Sequence, residues 1–111
     1  MGTIKIKNAY RDQVPATNTT IYTCPANTTA KVLKCTVTND SATAETISMH
    51  IVESGGAVAD NRLIVPDVAI STTPYNTPEM VGQILNAGDF VSAIAGAAAQ
   101  LTLSLNVVEV V

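Results

Sequence analysis

The chain has 111 residues, 47 % of them apolar, and a formal net charge of -3. This length suits one domain with a core of its own, and the apolar content excludes intrinsic disorder, since disordered chains lack the hydrophobic surface that offsets conformational entropy. A net acidic chain without clustered cations argues against a nucleic-acid partner, because phosphate binding wants a basic face.

The opening MGTIKIKNAY has no apolar stretch of the signal-peptide kind, and no apolar run approaches the ~18 residues of a membrane helix. The expectation is a soluble protein made in the cytoplasm, with no membrane partner. Ile4 and Ile6 alternate with Lys5 and Lys7, which reads as a first strand over 3–7. Residues 1–38 carry Lys5, Lys7, Arg11, Lys31 and Lys34 against Asp12 alone, net +4, whereas residues 39–111 set Arg62 against eight carboxylates, net -7. Two readings fit this asymmetry: solvated strand faces, or a basic N-terminal segment resting on an acidic partner or on the acidic part of a second copy.

Further strands are expected near 19–24, 30–38, 46–52, 62–66, 80–85, 89–95 and 101–110, eight in all. Leu33, Cys35 and Val37 are expected to face the core with Lys34, Thr36 and Thr38 outward, and Ile47, Met49 and Ile51 to face the core with Thr46, Ser48 and His50 outward. Leu101, Leu103, Leu105 and Val107 alternate with Thr102, Ser104 and Asn106, the pattern of a half-buried strand. Turn clusters separate these runs at Pro25–Thr28, Asn39–Ala42, Ser54–Ala57, Ser71–Pro78 and Asn86–Asp89. The Ala-rich stretch 93–100 is interrupted by Gly96 and reads as a strand end and a turn of small residues. The fold class is therefore all-β: an antiparallel β-sandwich of about eight short strands in a single domain, 1–111, with 1–14 as an extended N-terminal arm.

Cys24 and Cys35 read as free thiols. If 19–24 and 30–38 form a hairpin about 26–29, the two cysteines sit too far apart along it for a disulfide, whose Cα atoms lie within ~7 Å.

No enzyme chemistry is suggested. His50 is the only histidine and has no Cys or carboxylate at metal-ligand spacing; the carboxylates are scattered singly among turns; Gly55-Gly56 lacks a phosphate-cradle pattern. Catalytic, cofactor and metal residues are read as none. The outward strand positions are rich in Thr, Ser, Asn and Ala, a surface suited to pairing with another sheet or chain. Candidate partner contacts are Lys5, Lys7, Tyr10 and Arg11 in the basic segment and Tyr75 in the proline-flanked loop 71–78.

The segment Ile21–Asn39, IYTCPANTTAKVLKCTVTN, with ILNAGDFVSA over Ile84–Ala93 and the closing LSLNVVEV over Leu103–Val110, resembles the capsid staple (decoration or cement) proteins of short-tailed bacteriophages of the epsilon-fifteen type. The resemblance implies a jelly-roll sandwich, a homodimer, a place on the outer surface of the virion, and a major capsid protein of HK97-like fold as partner. The same strand-and-turn patterns occur in neck, tail and fibre-base modules, which form a second reading; a cellular ligand-binding or adhesive β-sandwich is a third. The resemblance carries over no catalytic residue and no cofactor.

Overall fold

A computed structural model describes residues 2–98 and 100–111. The strands in chain order are β1 (Ile4–Gln13), β2 (Thr19–Thr23), β3 (Thr29–Asn39), β4 (Glu45–Val52), β5 (Leu63–Ile70), β6 (Ile84–Leu85), β7 (Phe90–Ala95) and β8 (Leu101–Val110), with one 3₁₀ turn at Asp60–Arg62. They form two four-stranded sheets, β1-β8-β3-β6 (sheet A) and β2-β7-β4-β5 (sheet B), antiparallel throughout.

The pairs β1·β8, β2·β7, β3·β6 and β4·β5 nest one inside the other about the β4–β5 connection. A long antiparallel ribbon folded in this way cannot bury one face while flat. Rolling it brings β8 beside β3 and β7 beside β4, which closes two sheets over one core. This nested, rolled order is that of the jelly roll, so the expected sandwich class and strand number hold.

The core is aliphatic. Leu101, Leu103, Leu105 and Val107 of β8 and Val32, Cys35 and Val37 of β3 are fully buried, and Ile47, Met49, Val65, Val91 and Ala93 meet them from sheet B. β8 runs without irregularity in its own burial pattern, so its alternation reads directly from the sequence.

Four expectations need correction. Leu33 is 41 % exposed, because a bulge between Val32 and Lys34 inserts an extra residue and shifts the facing of the strand; Val32 is the buried residue instead. Ile51 is only half-buried. The run 80–85 is strand only at Ile84–Leu85, since Met80 and Gln83 donate backbone bonds to Thr77 and Met80, and Gly82 turns with φ 88°. The fourth concerns β2 and β3, which do not form a hairpin but lie in opposite sheets, joined by a corner in which Asn27 has φ 57°. Both cysteines are free as expected, but for a different reason: Cys24 donates to the Thr28 carbonyl at 3.3 Å, while Cys35 lies against the Met49 sulfur at 4.0 Å. Burial raises both thiols, Cys35 to about 11.

The turn over 96–98 follows β7 as the reading of 93–100 anticipated; Ala99 lies outside the described residues.

Candidate functional site: one face of sheet A

The segment read as an arm, through Gln13, is laid along β8 as the outer strand of sheet A. Its register with β8 fixes its facing. Lys5 and Lys7 lie opposite Glu109 and Val107, on the side that faces sheet B, whereas Ile4 and Ile6 lie opposite Val110 and Val108 on the outside. Ile4 and Ile6 are accordingly 69 % and 76 % exposed.

Lys7 is occupied within the chain. Its Nζ lies 3.2 Å from Glu109 Oε2 and 5.7 Å from the centre of the Tyr22 ring. Glu109 is buried and accepts a hydrogen bond from the Tyr22 hydroxyl, a link between the two sheets. That bond, helped by Lys7, holds the Glu109 carboxyl below its ordinary range against the opposing effect of burial. Burial and the Glu109 carboxylate in turn raise the Tyr22 hydroxyl. Glu109 is not among the residues singled out from the sequence, although it shares the parity of Leu101 to Val107 and so occupies an inward position.

Of the other predicted contacts, Tyr10 follows a bulge at Ala9, faces Leu105, and donates to the Gln13 carbonyl at 2.8 Å. Tyr75 bridges Val37 by two backbone bonds of 2.9 Å and donates to both Glu79 oxygens at 2.6 Å. It therefore lies beyond β3, three strand spacings or ~14 Å from β1. Only Arg11, opposite Ser104, stands on the outer face of sheet A. The five residues do not form one site.

The register instead assembles a different surface. Ile6, Val108, Lys31 and Ile84 stand side by side across all four strands of sheet A. The next row holds Ile4, Val110 and Thr29, and the row on the other side holds Asn8, Asn106 and Lys34, with Asn8 donating to Asn106 at 2.9 Å. Towards the far end the rows turn polar: Arg11, Ser104 and Thr36, then Gln13, Thr102 and Thr38. Every large apolar side chain exposed among the described residues lies in a strand of sheet A or in the chain next to one: Ile4, Ile6, Leu33, Val81, Ile84, Val110 and Val111. No carboxylate occupies an outward position of these strands, which carry Arg11, Lys31 and Lys34.

Sheet B presents a different exterior. His50 faces outward opposite Ser92, as its parity predicts, yet it is buried beside the β4–β5 connection that carries the 3₁₀ turn. That connection is tied down by Arg62, which donates to Glu53 Oε2 at 2.9 Å, and by the Ser54 amide, which donates to Asp89 at 3.1 Å. Burial pushes His50 below its usual value, with Asp60 opposing, and Nδ1 has no partner among the described residues. The folded chain thus binds this proton less readily than the unfolded chain. Stability should fall as the pH drops through the unfolded value of about 6.5, and His50→Gln should flatten that part of the curve. Thermal melts between pH 7.5 and pH 5, in about half-unit steps, check this.

The sheet edges are guarded. Pro66 withholds a donor on β5, and Asp67 beside it has φ 49° and donates its amide to Ser48 Oγ. The β6 edge is continued by Tyr75, and β2 is only five residues long. β1 combines a bulge with two lysines on its inward side, a pattern that discourages pairing with a further strand.

Among the described residues no group of three or more His, Cys, Asp or Glu side chains could hold a metal, and no helix is long and apolar enough to cross a membrane.

No protein-family model and no curated protein matches the chain. Among solved structures it is similar to a chain in the structure of infectious bursal disease virus Gx strain, at 15 % identity and a TM-score of 0.56, over 100 % of this chain and 33 % of that one. It is also similar to a chain in the crystal structure of the infectious bursal disease virus VP2 subviral particle, at 12 % identity and a TM-score of 0.51, over 99 % and 32 %. The chain spans about a third of the length of those chains, and at these identities what is shared is the fold.

Proposed function

We propose that this chain is a non-enzymatic structural component of a virus particle, and specifically a bacteriophage decoration protein that lies on the outer surface of the capsid and clamps neighbouring shell subunits. The observation that carries this reading is the gathering of the exposed apolar side chains on one sheet of a jelly roll whose fold recurs in virus-particle structures. Large exposed apolar patches on a folded domain mark interaction surfaces. A flat sheet face suits a broad protein surface rather than a small molecule, which wants a concavity. The shell partner in this reading is a major capsid protein of HK97-like fold, and two copies of the chain acting as a homodimer would each grip a different subunit, so that avidity does the clamping.

A neck, tail or fibre-base position is the second reading, supported by the same strand pattern. Stoichiometry separates the two. Densitometry of purified particles on a denaturing gel should find this chain in numbers comparable with the shell protein; a handful of copies per particle would move it to the tail, and its absence would end the virion reading.

A further inference from the structure

We infer that the outer face of sheet A is the surface by which the chain docks, that it docks face-on rather than by strand addition, and that the surface it meets on the shell protein is both apolar and acidic. The inference rests on the virion reading and adds the face, the mode and the chemistry of the partner.

Mode follows from the edges. Strand addition needs a long edge with free backbone groups and side chains that tolerate a neighbour. Here β5 carries Pro66 and the turned Asp67, β6 is continued by Tyr75, β2 is short, and β1 is bulged with Lys5 and Lys7 on its inward side. Lys7 is also engaged with Glu109 on the side that faces sheet B.

The face follows from the distribution of apolar surface. Ile4, Ile6, Val110 and Ile84 stand on the outside of sheet A with Val108 between them. At ~3.3 Å per residue and ~4.8 Å per strand, three strands of about ten residues and the short β6 give roughly 500 Å². A standard protein interface takes about 800 Å² from each partner, so this face would form the greater part of one, with its rim and the adjoining Val81 and Val111 supplying the remainder.

The partner's chemistry follows from charge. The outward positions of sheet A hold three cations, Arg11, Lys31 and Lys34, and no carboxylate, although the chain as a whole is at -3. Lys31 stands inside the apolar row between Val108 and Ile84, so any partner that seats on Ile6 and Ile84 also covers Lys31. A covered ammonium needs a carboxylate opposite it. A second copy placed face to face would set these cations against their own kind, which makes this chain a poor occupant of its own face.

Lysine acetylation with an N-hydroxysuccinimide ester, read by mass spectrometry on intact particles and on the isolated chain, tests the assignment. Lys31 and Lys34 should react at least fivefold more slowly in the particle, with Lys5 changed less than twofold. Slowing at Lys5 with Lys31 and Lys34 unchanged would overturn the face and leave the virion reading standing; particles that contain none of the chain would overturn both. In parallel, Lys31→Glu and the milder Lys31→Gln, each checked for an unchanged melting temperature, should coat stripped particles with affinity lowered tenfold or more and a few-fold respectively. Ala69→Glu on the exposed side of sheet B should bind within twofold of the parent. Equal binding by all three variants would overturn the proposal, as would a dimer of the isolated chain that Lys31→Glu abolishes, because the face would then belong to a second copy.

Discussion

Leu103→Ala is expected to cost about 2–5 kcal/mol of stability, the range for emptying a fully buried leucine site. Leu103 has no exposed surface; it lies near the start of β8, the strand flanked on both sides, between Val37 of β3 and Asp12 of β1. Both strands beside it are pinned by ladder bonds, so the cavity cannot close by a simple shift of one strand. For a domain of this size the melting temperature should drop by roughly 10–20 °C. Leu33→Ala supplies the internal contrast: the same chemical change at a 41 % exposed bulge position should cost less than about 1 kcal/mol. Urea unfolding of both variants decides the matter, and a larger loss at Leu33 than at Leu103 would mean that the facing of β3 and β8 is reversed.

Glu109→Ala should destabilise the chain by about 2–3 kcal/mol, the scale of losing a hydrogen bond to a charged group in a buried setting. The substitution leaves the Tyr22 hydroxyl, itself buried, without its acceptor, and removes the carboxylate paired with Lys7. Lys7 is 45 % exposed in its side chain and can turn to water, which keeps the loss below that of a fully enclosed ion pair. Tyr22→Phe should lose about half as much, since Lys7 still neutralises Glu109. Because the folded state holds the Glu109 carboxyl below its ordinary value, this contribution is present at neutral pH and is lost as pH falls from about 4.5 through the folded value. Denaturant midpoints at pH 7 and at several values below about 4.5 measure it: the gap between parent and Glu109→Ala should be largest at pH 7 and narrow as the pH falls. A gap that stays constant with pH would show that the carboxylate's charge is not what matters.

The same residues separate what was legible in the sequence from what was not. Alternation with period two depends only on the pleat of a strand, so Leu101 to Val107 announced both the strand and its buried face, and four alternating runs among eight expected strands between turn clusters announced an all-β sandwich. Glu109 was legible by the same parity, had the reading been carried two residues further. His50 was half legible: parity placed it outward opposite Ser92, but its burial depends on the β4–β5 connection, whose path local residues do not encode.

Tertiary structure decided the remainder. A bulge adds one residue and changes the facing from that point on, so Val32 is inside and Leu33 outside although either assignment fits the hydrophobic pattern. β1 offers two faces, one of isoleucines and one of lysines, and hydrophobicity alone sends the isoleucines inward. The register with β8 sends them outward, because Glu109 and the Tyr22 hydroxyl give the lysine side a polar partner between the sheets. β2 and β3 read as neighbours in a hairpin, yet each finds its partners far along the chain, and only the nesting of four long-range pairs sets them in opposite sheets. The candidate surface is of this second kind. Ile6, Lys31, Ile84 and Val108 are scattered over about a hundred positions of the chain, and nothing but strand order and register brings them into one row.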